Sequence, residues 1–197
     1  MTEAALEPED QARANMYALL ARLFCGPPDR ELLASLARAD EIVAEDEHSG
    51  LAAAWRQLTA AAAAMEEDAA REEYESVFVG TGKAEVTLYT GAYTVKTMLD
   101  NPLVEVRGFL ASHGFVRREN ASEPEDHIAA LCETMRHLIV AEGINTAQQG
   151  FFGQFVWPAA NALCDAIERS PNTNFYKRVA RLAKSFFALE HNAFGMD

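Results

Sequence analysis

The strongest helical pattern in the chain lies in residues 122–141, which read SEPEDHIAALCETMRHLIVA. Its apolar residues recur three and four positions apart, the spacing that places side chains on one face of an α-helix. These residues are Ile128, Leu131, Cys132, Met135, Leu138 and Ile139. Upstream, Ser122 and Glu125 have the spacing of a capping box, and Pro124 suits the first turn, where its missing amide proton costs nothing. We predict a helix from about Pro124 to Ala141.

The same periodicity recurs on both sides of this stretch. Further helices are expected at about Pro8–Phe24, Arg30–Ala39, Leu51–Met65, Glu67–Val79, near Ala92, and at Leu103–Ser112, Thr146–Ile167 and Asn174–Glu190. Pro158 lies inside one of these patterns, so a kink or a restart is expected there. Good helix formers dominate the composition, and long alternating runs of β-branched residues are missing. The sequence therefore predicts an all-α fold, a single compact bundle of about eight to nine helices.

The length of 197 residues suits one generous domain. We expect a single all-helical domain over residues 1–197, with a hinge loop at 113–123. Because a long hinge permits the exchange of a segment between copies, a monomer and a domain-swapped homodimer both remain open.

The charge of the chain limits its partners. The net charge is −13 and the isoelectric point is near 4.8. This balance argues against binding to nucleic acid, whose phosphates attract lysine and arginine, and against docking on anionic lipid by charge. An acidic surface either steers basic partners or only keeps the chain in solution, and the composition leaves both interpretations open.

The chain shows the features of a cytoplasmic protein. Its first residues, MTEAALEPEDQAR, lack the basic flank and apolar stretch of a secretory signal. No apolar run approaches the ~20 residues that span a bilayer, so integral membrane association is not expected. Cys25, Cys132 and Cys164 are interpreted as small core residues, which suits a reducing compartment.

Sequence templates for catalysis are missing. The chain contains no GxSxG, Walker A, GxGxxG or HExxH motif, and its five histidines are scattered. We therefore expect a protein that is not an enzyme and that holds no metal and no cofactor of its own.

Two groups of residues are candidates for a binding site. The first is Asp126 and His127, at the open first turn of the predicted helix; they either only complement the helix dipole and fill space, or contact a partner. The second is aromatic, with Tyr74 and Phe78 on one helix face and Tyr89 and Tyr93 after an irregular loop. These rings either pack in the core or form the wall of a groove for an apolar peptide.

Several segments together resemble one family. Residues 73–80, EYESVFVG, resemble the family segment E-Y-x-x-L-F-x-G, and residues 89–93, YTGAY, are similar to its second aromatic segment. Residues 123–127, EPEDH, followed by a leucine and a methionine, resemble its signature E-P-x-D-H. The chain also ends as this family does, with Phe175-Tyr176 opening a last helix. By these marks the sequence resembles the TorD/DmsD family of redox-enzyme maturation chaperones over roughly residues 10–190.

The resemblance implies an all-helical chaperone that binds the twin-arginine signal peptide and the apo form of a molybdopterin-containing reductase or dehydrogenase. Such chaperones assist cofactor insertion and prevent premature export. By motif, the signal-peptide-binding residues would be Glu123, Pro124, Asp126, His127, Tyr74, Val77, Phe78, Tyr89 and Tyr93.

One departure from the family pattern concerns the loop at residues 83–88, KAEVTL, where relatives usually have prolines. The shape of this loop and the choice of client therefore stay open. Two other functions are considered: a maturation factor that depends on GTP, although no phosphate cradle is visible, and a small helical enzyme that uses Asp126 and His127 as an acid/base pair.

Overall fold

A computed structural model describes residues 6–42, 50–97, 100–116, 123–141 and 145–195. The α-helices in these residues are α1 (Pro8–Cys25), α2 (Arg30–Ala37), α3 (Leu51–Ala64), α4 (Glu67–Tyr74), α5 (Gly91–Thr94), α6 (Pro102–Ser112), α7 (Ile128–Val140), α8 (Asn145–Phe151), α9 (Trp157–Arg169) and α10 (Phe175–Gly195). Turns of π-helix at Glu75–Val79 and Phe152–Val156 continue α4 and join α8 to α9. The described part of the chain thus forms nine continuous helical segments and no strand, which confirms the predicted all-α class.

The backbone contacts divide the chain into two compact units. Unit 1 consists of residues 1–24 and 89–158, and unit 2 of residues 25–88 and 159–197. Each unit combines two stretches that are distant in sequence, so local patterns could not delimit either one. The single domain over 1–197 stays a prediction, and residues 117–122 of the predicted hinge loop lie outside the described residues.

Unit 2 is built around α10, which packs against α3 and α4, while α2 packs against α3. Helix α10 buries an apolar face formed by Phe175, Tyr176, Val179, Ala180, Leu182, Ala183, Phe186 and Phe187. Helix α3 presents Ala54, Leu58 and Ala62 from its buried face, and the small alanine side chains let two helix axes approach. Burial of each large apolar side chain contributes about 1.5–3 kcal/mol.

Unit 1 has its core on α7, which packs against α8 and the π-helical turn that follows α8. The buried residues of α7 include the whole predicted stripe from Ile128 to Ile139. Phe151 and Phe155 pack against each other and against Phe109 of α6, with ring centroids 5.1–5.8 Å apart. The apolar spacing in the sequence therefore identified the face of α7 that forms this core.

The break expected at Pro158 takes the form of a π-helical turn. The turn at Phe152–Val156 ends where the amide of Trp157 donates to the carbonyl of Phe152, five residues earlier. Pro158 follows at once as the second residue of α9. Proline has no amide proton and its ring crowds the carbonyl four residues back, so a locally wider turn accommodates it without ending the helix.

Gly80 ends the other π-helical turn for a steric reason. Its φ is +65°, and a Cβ built on it would lie 2.3 Å from the carbonyl oxygen of Lys83. Only glycine avoids both the left-handed strain and this clash. The chain then leads to Val86, whose amide donates to the carbonyl of Val77.

Candidate functional site

The candidate site in unit 1 starts from an isolated antiparallel bridge between Tyr89 and His127. Beside it, the amide and the hydroxyl of Thr90 both donate to the carbonyl oxygen of Asp126, at 2.9 Å and 3.0 Å. These bonds join two segments that are more than thirty residues apart in sequence. The bridge brings the second aromatic segment of the family resemblance next to the E-P-x-D-H segment.

This pairing corrects the predicted start of α7. The sequence predicted a helix from about Pro124, but α7 begins at Ile128. Residues 124–127 form a turn instead, closed by the amide of His127 and the carbonyl of Pro124 at 3.1 Å. Because the carbonyl of Asp126 accepts its hydrogen bonds from Thr90, it is not part of the hydrogen-bonding pattern of α7. Ser122 of the predicted capping box lies outside the described residues.

His127 is the N-cap of α7. Its Nδ1 accepts a hydrogen bond of 3.2 Å from the amide of Ala129, so the cap needs an unprotonated Nδ1. The side chain is buried, and burial lowers the pKa of His127 below its ordinary value. The ring therefore stays neutral at pH 7. On the predicted helix, His127 lies only at the edge of the apolar stripe formed by residues 128–139, so the sequence does not indicate full burial.

Tyr89 connects this imidazole to a carboxylate. Its ring meets the His127 ring edge to face, with centroids 5.2 Å apart, and its hydroxyl donates to Glu123 at 2.6 Å. The hydrogen bond to Glu123, with some burial, raises the pKa of Tyr89 to about 12. Tyr89 remains 37% exposed, so one side of the ring is open to a partner.

Asp126 and Glu125 complete the acidic side of the site. Both carboxylates are half-buried, and burial is the main cause that raises the pKa of Asp126 above its usual range. A Cβ on Gly91 would lie 3.1 Å from Oδ2 of Asp126, so glycine there leaves room for this carboxylate. Glu125 accepts a hydrogen bond of 3.0 Å from Arg107 of α6.

The predicted site residues fall in both units. The structure brings together Tyr89, Glu123, Pro124, Asp126 and His127 in unit 1, with half-buried Tyr93 in α5 of the same unit. Tyr74, Val77 and Phe78 lie in unit 2.

The aromatic residues of unit 2 form a cluster of their own. The rings of Tyr74 and Phe78 meet each other and the ring of Tyr176, with centroids 4.9–5.6 Å apart. Tyr74 and Phe78 are half-buried, but Val77 is fully buried. The two rings are therefore partly accessible to a partner, whereas Val77, predicted as a groove residue, is buried in the core.

Glu73, just before this cluster, caps helix α10. Its carboxylate accepts hydrogen bonds from the amides of Asn174, Phe175 and Tyr176 at 2.7–3.0 Å. A negative charge here also complements the positive end of the helix dipole. Sequence reasoning noted Glu73 only as part of a motif. The sequence feature that could have indicated this role is the first turn of α10, which contains no acidic residue and therefore leaves the cap to a residue from elsewhere in the chain.

The described ranges contain neither a cluster of metal-ligating side chains nor a membrane-spanning helix. Within them, no three His, Cys, Asp or Glu side chains lie close enough to hold a metal ion together. None of the helices there combines the length and the apolar character required to cross a bilayer.

The fold and the site together define a helical protein whose candidate site is a group of carboxylates, aromatic rings and a neutral imidazole. The family model described as "Nitrate reductase delta subunit" matches residues 44–165. The chain belongs to this family.

Individual relatives agree with this membership. The chain is 26% identical, over 125 residues, to the chaperone protein TorD of two strains of Vibrio cholerae serotype O1. The match covers 58% of this chain and spans 57% of the length of these curated relatives. The crystal structure of a candidate redox enzyme maturation protein from Archaeoglobus fulgidus has the same fold, with a TM-score of 0.53 and 15% identity, and covers 95% of this chain and 98% of that one. The resemblance to the TorD family is thereby confirmed.

Proposed function

We propose that this protein is a redox-enzyme maturation chaperone that works in the cytoplasm. It binds the twin-arginine signal peptide and the apo form of a molybdopterin oxidoreductase, assists cofactor insertion and prevents premature export. The observation that carries the proposal is the bridge between Tyr89 and His127, which joins two family segments into one group of side chains. Membership of the nitrate reductase delta subunit family supports it.

The chemistry of this group suits such a peptide. A twin-arginine signal offers two guanidinium groups followed by an apolar stretch. Carboxylates such as Asp126 and Glu123 accept charge-assisted hydrogen bonds from guanidinium, and the exposed side of Tyr89 offers an apolar surface with a polar edge. The net charge of −13 favours a basic partner over long distances.

His127 has a positioning role in this proposal. Because His127 is buried and caps α7, it holds the backbone of the preceding residue, Asp126, in a defined position at the start of the helix. The Tyr74–Phe78 cluster of unit 2 is a second candidate contact for the client. Reversible handover to the export machinery requires moderate affinity, and a micromolar complex corresponds to only about −8 kcal/mol.

The test is calorimetric titration of the protein with a synthetic twin-arginine leader at low and high salt. A leader with both arginines changed to alanine serves as the peptide control. We expect binding that weakens as salt rises and weakens again without the arginines, because both changes reduce the charge attraction.

The protein variants compare equal changes of charge at two places. Asp126→Asn should raise the Kd about tenfold, a loss of about 1.4 kcal/mol, whereas Asp68→Asn on α4 should leave it unchanged. If leaders from several molybdoenzymes all fail to bind the wild-type protein, the proposal of signal-peptide binding is wrong.

A further inference from the structure

A pocket of about 330 Å³ opens in unit 1 between α6 and α7. Its apolar lining includes Leu110, Phe115 and Ala130, and the carboxylates of Glu123, Glu125 and Glu133 also line it. The volume lies at the small end of the ~300–1,000 Å³ typical of ligand pockets, so it suits one or two side chains of a larger partner.

The negative charge of the pocket lining favours a positively charged ligand group. Three carboxylates line it, and the basic side chains of its lining are His137 and Arg107, the latter held by Glu125 at 3.0 Å. Glu133 accepts from Arg136 through both of its oxygens, at 2.8 Å and 2.9 Å. A carboxylate has about four lone-pair sites and can accept from more than one donor at once, so Glu133 can bond to Arg136 and to a second guanidinium together. A phosphate or another anion would instead meet net negative charge.

The rim of the pocket adds apolar surface. Val116 lines the pocket and is 89% exposed, and Leu110 and Phe115 are half-buried. Covering such surface contributes about 25 cal/mol per Å². The occupant that satisfies both the rim and the carboxylates is a chain segment with a basic side chain next to an apolar one.

Glu123 links the pocket to the site described above. It lines the pocket and also accepts the hydrogen bond from the Tyr89 hydroxyl. A peptide that lies along Tyr89 therefore reaches the pocket without leaving unit 1.

We infer that the α6–α7 pocket is a docking subsite for a guanidinium and its apolar neighbour in the client's leader. The guanidinium bonds to Glu123 and Glu133, and the apolar side chain packs on Leu110 and Phe115. This assignment rests on the proposed function, and it extends the site to residues of α6 and α7 that no motif marked.

The test uses two variants that change the pocket in different ways. Ala111→Phe, at an exposed position of α6 that lines the pocket, fills the space; Glu133→Gln removes one charge and keeps the shape. Matched controls are Ala53→Phe, at an exposed position of α3, and Glu105→Gln, at an exposed position of α6 outside the pocket lining. Each protein is titrated calorimetrically with the twin-arginine leader, and its circular dichroism is compared with that of the wild type.

We expect each pocket variant to raise the Kd about tenfold and each control to leave it within about twofold. A leader with citrulline in place of arginine should bind wild type and Glu133→Gln equally, because the charge that Glu133 recognises is gone. Should Ala111→Phe fail to fold, Glu133→Gln and the citrulline leader still decide the question.

Wild-type binding to the leader together with unchanged affinity in Glu133→Gln and Ala111→Phe would overturn the pocket assignment and leave the proposed function intact. A wild-type protein that binds no leader would remove the proposed function and the pocket assignment together. Sedimentation velocity tests the alternative occupant, a second copy of the chain. If the wild type is a dimer and Ala111→Phe dissociates it, the pocket belongs to the dimer contact and the inference is overturned.

Discussion

The hydroxyl of Tyr89 donates a hydrogen bond of 2.6 Å to the carboxylate of Glu123, 34 residues further along the chain. The same tyrosine bridges to His127 through its backbone and packs its ring edge to face on the imidazole. One residue thus connects a half-buried carboxylate to a buried neutral imidazole at the start of α7. The following experiments test this connection, the cap that Glu73 forms on α10, and two glycine positions.

The Tyr89–Glu123 bond should be visible in an alkaline titration. The pKa of Tyr89 is raised to about 12, mainly because its hydroxyl donates a hydrogen bond to Glu123 that ionisation would remove. Ultraviolet absorbance should show a tyrosine component that ionises near pH 12, and Tyr89→Phe should reduce that component by one tyrosine. In Glu123→Gln that tyrosine should titrate closer to its ordinary value near 10. An unchanged curve in Glu123→Gln would contradict the bond.

His127 should make stability depend on pH in the acidic range. Burial lowers its pKa in the folded protein, so the unfolded chain binds a proton more readily. Stability from the neutral ring is present above pH 6.5 and is lost as the pH falls below that value. His127→Asn keeps a capping acceptor, so its unfolding free energy should fall little at pH 7.5 and depend less on pH between 7 and 5. Urea unfolding at several pH values measures this difference.

Glu73 should matter for the stability of unit 2. Glu73→Ala removes the acceptor of three amides, those of Asn174 and of the first two residues of α10, and should lower the free energy of unfolding by about 2 kcal/mol. Glu73→Gln keeps an acceptor and should lose less. The control is Glu72→Ala, an exposed neighbour on α4, with an expected change within ±0.5 kcal/mol. Equal losses in Glu73→Ala and Glu72→Ala, measured by urea unfolding, would refute the cap.

Two glycines should respond in opposite directions to the same change. Gly80→Ala places a Cβ against the carbonyl of Lys83 in the left-handed region, so it should destabilise the fold by more than about 1 kcal/mol. Gly108→Ala lies inside α6, where a Cβ meets no atom within 4 Å, so it should stabilise the helix by about 0.5–1 kcal/mol. Thermal unfolding of both variants beside the wild type tests the pair. Shifts of the same sign would count against the described turn at Gly80.

Much of the fold was predictable from local spacing. The apolar stripe of residues 128–139 identified the core face of α7. The spacing of Phe175, Val179, Leu182, Phe186 and Leu189 predicts the buried face of α10, and all of these except the exposed Leu189 are buried. Asp29 directly precedes α2 and is a residue type that favours the N-cap; its carboxylate accepts from the amide of Leu32 at 2.8 Å. These features depend on neighbours within one or two turns, and such neighbours are visible in a sequence.

The start of α7 was not predictable in this way. Pro124 and Glu125 are residue types that favour the first turn of a helix. The carbonyl of Asp126 nevertheless accepts hydrogen bonds from Thr90, and the helix begins later. This tertiary contact overrides the local helix propensity. It gives the carbonyl of Asp126 a hydrogen-bond partner outside the helix, so this carbonyl does not need a helical partner. Thr90 and Gly91, which hold and accommodate Asp126, lie inside the second aromatic segment, but nothing in that segment indicates that they contact Asp126.

The sequence alone was enough to specify helices, their buried faces and a family signature, because periodicity and short motifs are local properties. Only the tertiary structure decided that Glu73 serves α10, that Tyr89 meets Glu123 and His127, and that α6 and α7 leave a pocket between them. These are contacts across dozens of residues. Their partners are chosen by how the helices pack, and helix packing depends on all the buried side chains together and not on any single segment.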